Sequence, residues 1–326
     1  MKKLLTLILL VGAIAWTGAT LSEEWDTIKE EIDTFLQEIE DWETGGNLET
    51  QGETPSVTTE APTEPDTTNQ SSGGEMVRTV YGTDWELAGV NSGDLTFNNG
   101  NGTGEYLWKE GKSYDGITVG DPSSTVTETW GEPEGAVRRG MTSVRFPAEH
   151  YEIYERNDKE VTVFYDRHEG DVIKSLYIVP ISTASGMTGY YAEAEDWSDA
   201  DQSRIMLGLI NKDRTSRGLD PLTWKKELVP VAEAHSEDMN ARNYFSHTNP
   251  DGEGPADRAR SAGVSYSMIG ENLAYGQNNA VYAHEGLMDS KGHRENILNP
   301  AYEEVGIGVD VDEKGAPYFT VLFYKE

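Results

Sequence analysis

Three side chains in the last third of the chain, His247, Glu271 and His293, sit where an imidazole or a carboxylate could do chemistry. His247 follows Tyr244-Phe245-Ser246, so two aromatics can anchor a helix end while the histidine faces a loop or cleft. Glu271 stands between Gly270, which permits close approach, and Asn272, whose amide can fasten a loop. His293 lies between Gly292 and Arg294 at a turn. Histidine and carboxylate together can coordinate zinc or another divalent metal, or exchange a proton near neutral pH. The same atoms also satisfy backbone donors and acceptors in a folded turn, so a structural role stays open for each.

The remaining candidates are weaker. His235 has helical spacing to Ala232 and Met239 and reads as packed or partnered, and His284 reads similarly. His150 and His168 are isolated and read as exposed or turn residues. Ser236 and Ser246 adjoin histidines, but a serine nucleophile needs a base within hydrogen-bond reach and an oxyanion site opposite it, which adjacency does not supply. There is no Gly-x-Ser-x-Gly elbow, HExxH motif, Walker loop or dinucleotide fingerprint. Arg242, Arg258 and Arg294 read as residues that hold acidic loops or line a cleft, and Asn243, Asn272 and Asn296 as loop fasteners.

The elements that must position these residues can be read from periodicity. Ile205, Met206, Leu209 and Ile210 have helix spacing, with Asn211 and Arg214 on the polar side. A second helix covers much of 225–242 and starts regularly near Pro230, where a missing N–H costs least. Val305, Ile307, Val309 and Val311 alternate, and Tyr318, Thr320, Leu322 and Tyr324 close a hairpin. Upstream, residues 77–184 read as a small α+β unit: a strand, a short helix between turns at Gly120-Asp121-Pro122 and Gly131-Glu132-Pro133, then strands in EVTVFYD and KSLYIVPI. Residues 185–202 connect the two units.

The N-terminus differs in kind. Lys2 and Lys3 precede an apolar run from Leu4 to Ala15, with Thr17-Gly18-Ala19 after it, so residues 1–21 read as an export signal or a retained membrane anchor. Residues 22–44 form an acidic amphipathic helix, and 45–76 a Thr/Pro/Glu linker too polar to repay ordering. A net charge of -32 opposes binding to nucleic acid. With no cysteine, disulfides and thiolate chemistry are excluded.

From residue 203 to 324 the motifs LINKDRTSRGLDPLTW, AHSEDMNARNYFSHTNPDG, GENLAYG, GLMDSKGHRENILNP and EEVGIGV occur in order, and this ensemble resembles the CAP superfamily (cysteine-rich secretory, antigen 5 and pathogenesis-related proteins). Residues 77–184, through Thr129-Trp130-Gly131-Glu132-Pro133 and the Tyr/Val-rich strands, resemble less specifically the domain that precedes CAP domains in bacterial exported proteins. The resemblance implies an α+β chain whose residues 203–326 form an α-β-α sandwich with a central antiparallel sheet, and it places His247, Glu271 and His293 around an open cavity. It also implies a second glutamate where this chain has Ser290, and tryptophan where it has Leu287; Glu285 and Glu295 are the nearest carboxylates in sequence.

The expected function is that of an extracellular or cell-surface protein binding a ligand in a His/Glu-lined cleft. A divalent metal such as zinc is expected on His247, His293 and Glu271, and the partner is expected to be a lipid, a cell-wall polymer or a surface protein. Two alternatives stand beside it. One is a metal-assisted hydrolase of an envelope or peptide substrate, with His247, Glu271 and His293 as catalytic residues. The other is a non-catalytic structural envelope protein.

Overall fold

Strands dominate the first half of the described chain because its β-branched and aromatic residues recur at period two between glycine-rich turns. The structure is a computed structural model that describes residues 74–146 and 150–326. The expected export or anchor segment and the acidic helix, with nearly all of the linker, lie outside the described residues. Regular structure begins with β1 (Glu75–Arg78), followed by β2 (Asp84–Ala88), β3 (Thr96–Asn98) and β4 (Glu105–Leu107). Two small hairpins, β5 (Ser113–Tyr114) with β6 (Ile117–Thr118) and β7 (Val137–Arg139) with β8 (Thr142–Val144), flank helix α1 (Ser124–Trp130). Strands β9 (Tyr151–Arg156), β10 (Lys159–Asp166) and β11 (Val172–Pro180) complete a seven-stranded sheet of order β1-β2-β3-β4-β11-β10-β9, and short α2 (Ile181–Ala184) ends the unit.

Alternate residues of β10 feed two cores, as period two requires. Val161 and Val163 pack with Ile117, Val126 and Ile173, while Phe164 joins a larger core on the opposite face. That larger core continues into the second half. It runs from Trp85, Phe97 and Tyr177 through Met206, Ile210 and Tyr282 to Val305, Ile307 and Phe323. Burying these side chains contributes roughly 1.5–3 kcal/mol each, before the entropy of ordering them is subtracted.

The second half contains α3 (Asp199–Thr215), β12 (Thr223–Trp224), α4 (Val229–Arg242), α5 (Pro255–Ser261), β13 (Met268–Tyr275), α6 (Ala280–Asp289), α7 (Lys291–Ile297), β14 (Glu304–Val311) and β15 (Pro317–Lys325). Its sheet has the order β12-β14-β15-β13; β13, β14 and β15 pair antiparallel, and only the short edge strand β12 is parallel to its neighbour. The expected hairpin is β14–β15, with Val305 opposite Phe323 and Val309 opposite Phe319. Val305, Ile307 and Val309 face the large core with α3 and α6, while Gly306 and Gly308 lie beneath Leu228, Ala232 and Glu233 at the start of α4. Helices therefore cover both faces of the sheet, which is the expected α-β-α sandwich.

Helix ends follow local chemistry. Ser198 caps α3 by accepting from the Asp201 N–H at 3.3 Å, with Asp199 and Asp201 in the first turn and Lys212 and Arg214 in the last, which suits the helix dipole. Pro230 sits in the first turn of α4, as expected, and Asn243 ends that helix in the left-handed conformation at φ 53°. The polar side of α3 departs from expectation. Asn211, Lys212, Asp213 and Arg214 are all buried there, because the seven-stranded sheet and the 297–302 segment cover the face that water would otherwise take. Arg214 spends its donors on the carbonyls of Asp220, Ile297, Asn299 and Tyr302.

The expectation of membrane anchoring is corrected for the described residues, among which no helix is long and apolar enough to cross a membrane.

Candidate functional site

The His247–Glu271 pair is assembled by three elements: the loop after α4, helix α5 and strand β13. Glu271 points from β13 with its side chain 1 % exposed. Its Oε1 lies 2.8 Å from Nδ1 of His247, and its Oε2 accepts from Nη2 of Arg258 on α5 at 2.5 Å. Arg258 also donates through Nη1 to the His247 carbonyl at 2.8 Å, so one guanidinium fixes both partners. His247 is the outward member, with its side chain 32 % exposed. His235 backs the pair from α4. It is buried, 4.0 Å from Glu271 Oε1, and its Nε2 pairs with the Ser246 carbonyl at 3.1 Å.

His293 opens α7 close enough for the charge on His247 to depress its basicity. Its carbonyl accepts from the Asn272 amide at 2.9 Å, and Asn296 donates to the Asn272 side chain at 2.9 Å and to the Glu271 carbonyl at 3.3 Å. Both asparagines are thus the loop fasteners their sequence context suggests. Gly270 lies close against Tyr302, since a Cβ there would meet its hydroxyl at 2.2 Å and push that ring aside. The structure therefore brings all three expected residues to one region, and it adds Arg258 and His235.

Electrostatics separate their roles. Burial alone would raise the Glu271 carboxyl, but the His247 hydrogen bond and the Arg258 charge overcome it and hold the group below the ordinary carboxylate range. Burial and then the charges of His247 lower His293 to about 4. His235 is lowered first by burial and further by Arg258. His293 and His235 therefore stay neutral near pH 7. Replacing His247 by alanine should move the His293 titration upward from about 4 because one of its two depressing influences is gone. Imidazole NMR titration measures this directly, and an unmoved His293 would assign the whole shift to burial.

The expected metal site is corrected. Among the described residues there is no group of three or more His, Cys, Asp and Glu that could hold a metal ion. The physical reason is visible at Glu271: one oxygen is taken by His247 Nδ1 and the other by a guanidinium, which competes with any cation for the carboxylate. The pair does not fit zinc or a similar ion.

Neighbouring carboxylates do not rebuild the set. Ser290 occupies the junction between α6 and α7 in an extended conformation. Glu285 turns the other way and is buried against Lys174, Tyr106 and Ser175 of the first sheet, while Glu295 is exposed on α7. The two serines are accounted for as well. Ser236 bonds the Gly308 carbonyl and Thr320, and Ser246 Oγ accepts from the Thr248 N–H. His150 and His168 both approach Asp289, at 3.8 Å from its carboxylate and 2.5 Å from its carbonyl respectively. A cavity of about 10 Å³ lined by Val80, Tyr177, Gln202 and Asn279 lies on the first-sheet side, away from His247, and is large enough for one water at most.

The ordered motifs, the sandwich and the family comparison now coincide: residues 207–324 match the model of the cysteine-rich secretory protein family, CAP. This segment is a CAP domain. It is similar to two curated proteins of Bacillus subtilis, the uncharacterized protein YkwD at 42 % identity over 103 residues and the uncharacterized membrane protein YlbC at 38 % over 120. These alignments cover 32 % and 37 % of this chain but only 40 % and 33 % of those relatives. Two crystal structures share the fold. One is an extracellular protein containing an SCP domain from Bacillus anthracis, with TM-score 0.65 and 20 % identity, covering 83 % of this chain and all (100 %) of that one. The other is a cysteine-rich secretory protein from Staphylococcus aureus, with TM-score 0.58 and 17 % identity, covering 78 % and 89 %. Both reach well beyond the CAP domain, so the likeness of fold includes strands of the first sheet.

Proposed function

We propose that this chain is an extracellular or cell-surface protein whose CAP domain binds a ligand or surface component at His247. In this reading His247 is the contact residue, Glu271 and Arg258 orient it, and His293 is a neutral neighbour. The observation that carries the reading is the partly exposed imidazole backed by a buried, ion-paired carboxylate. With Nδ1 engaged by Glu271, the ring presents Nε2 outward in a fixed orientation, and a pre-oriented polar group loses little entropy on binding. The export-type N-terminus supports the location, as does the likeness to the B. anthracis protein described as extracellular. Residues 77–184 act as an accessory domain joined through 185–202 to the binding domain at 203–326.

Hydrolysis is less well supported. Glu271, held by a guanidinium and an imidazole, is a poor base, and neither Ser236 nor Ser246 offers its hydroxyl to a histidine. The test is a panel of envelope glycans, peptides and lipid esters assayed for both binding and turnover with the full chain. A compound that binds the wild type should bind His247→Ala about tenfold or more weakly, the effect of one lost oriented hydrogen bond. Unchanged affinity in that variant, or ligand-induced NMR shifts confined to the first sheet, would sink the proposal.

A further inference from the structure

A second polar cluster lies where β4 and β11 of the first sheet meet α3 and α6. Lys174 on β11 places Nζ 2.8 Å from Glu285 Oε2 and 3.2 Å from Asp213 Oδ2. Lys212 on α3 lies 3.1 Å from the same Asp213 oxygen and 3.2 Å from the Tyr106 hydroxyl. Tyr106 on β4 donates to Glu285 Oε1 at 2.5 Å, and Ser175 donates to it at 3.0 Å. His284 on α6 puts Nε2 at 2.7 Å from Asp213 Oδ2, while its buried Nδ1 has no partner. Every one of these charged side chains is at most 7 % exposed. Two ammonium groups face two carboxylates around an imidazole, and the Arg217 guanidinium reaches Asp213 from the rim, so a proton on that imidazole would add positive charge to carboxylates already matched by cations.

We propose that this cluster is an acid-sensitive latch that holds the seven-stranded sheet on α3 and α6, with His284 as its trigger. Neutral His284 gives its single N–H to Asp213. A second proton would sit on Nδ1, which has no hydrogen-bond partner, and would set a further positive charge beside Lys174 and Lys212. The charges that act on the ring are Asp213 and Lys212 from α3 and Lys174 from β11, with Glu285 beside it on α6 and Tyr106 of β4 behind Lys212. Arg217 engages the other oxygen of Asp213 at 3.0 Å, so that carboxylate cannot turn to accept a second proton-bearing nitrogen without losing a cation.

The sign follows from the same contacts. Burial lowers His284, Lys174 and Lys212 push it further down, and the Asp213 bond opposes them without restoring the ordinary value. The folded state therefore prefers the neutral ring. Its stability from this group is complete above the ordinary imidazole value of about 6.5 and is lost as pH falls below it. The latch is closed at neutral pH and loosens in acid. It makes no use of His247, Glu271 or His293, so it stands whether or not those residues bind a ligand.

Native-state hydrogen exchange on the full chain tests it. Between about pH 7.5 and about pH 5.5, corrected for intrinsic exchange, opening of β4, β11, α3 and α6 should increase below the ordinary imidazole value, approaching about tenfold per pH unit for one proton taken up. In His284→Gln, whose amide N–H can replace Nε2–H toward Asp213, that dependence should flatten by about one proton. Equal pH dependence in the variant would overturn the latch and assign the effect to His150, His235 or His293. So would undiminished protection of the four elements in acid. Should the variant fail to fold, the imidazole NMR titration of the wild type decides: His284 protonating while β4 and β11 remain fully protected would overturn the proposal, and protonation only in the opened form would uphold it.

Discussion

Gly308→Ala is expected to destabilise the protein by about 3 kcal/mol or more. A Cβ at this position would lie 2.0 Å from the Glu233 nitrogen and 2.3 Å from the Ala232 carbonyl carbon, which belong to the backbone of α4. A flexible side chain could swing away, but a helix backbone cannot. The helix would have to lift off β14, uncovering Leu228 and Ala232 and stretching the Ser236–Gly308 hydrogen bond of 3.2 Å. Denaturant unfolding measures the loss. A cost below about 1 kcal/mol would mean that α4 can slide along the sheet at little expense. Gly306, whose Cβ would meet Leu228 at 2.5 Å, marks the same seat one step along the strand face.

Lys174→Met is expected to cost about 3–5 kcal/mol, because it leaves Glu285 buried without its cation and removes one of the two ammonium groups at Asp213. Methionine keeps most of the aliphatic length, so lost packing is not the main cause. The carboxyls of Glu285 and Asp213 are held low despite burial chiefly by Lys174 and then Lys212. In the variant both should titrate higher, so the destabilisation measured by denaturant should shrink as pH is lowered toward the carboxylate range. An equal loss at neutral and acidic pH would show that packing, not charge, is what Lys174 supplies.

These two positions show where sequence was readable and where it was not. The alternation in Val305–Val311 identified a strand, and Pro230 marked the start of α4, because period and missing N–H groups are local properties. That Gly306 and Gly308 form a seat for α4 is not local: the helix arrives from residues 229–242. Asn272 and Asn296 were legible as fasteners from their residue type, but that they fasten β13 to α7 and to each other, 24 residues apart, is not local. His247, Glu271 and His293 were placed together by their resemblance to a family rather than by spacing, and the fold does bring them to one region.

The metal expectation failed for a physical reason. A carboxylate in sequence carries no sign of which of its oxygens is already engaged, and Arg258, 13 residues before Glu271, comes in from a separate helix to occupy one. Likewise, helix spacing puts Asn211 and Arg214 on the polar side of α3 but carries no sign that this side is buried, with Lys212 and Asp213 beside them. Only the apposed first sheet, whose Ser175 is 110 residues from Glu285, supplies the groups that make their burial tolerable.

Among the described residues, each buried acid meets a cation: Glu160 with Arg139, Asp166 with Arg294, Asp213 and Glu285 with Lys174, Glu271 with Arg258. The interior therefore consumes positive charge that the exterior cannot then display, and the surplus behind a net charge of -32 falls to the solvent-facing shell and the acidic N-terminal stretch. Two such molecules repel at low ionic strength, over a range that shrinks from about 30 Å to about 8 Å as salt rises to physiological levels. Crowding of this protein on a surface is thus governed by dissolved ions, with neutral or cationic neighbours favoured over further copies of itself.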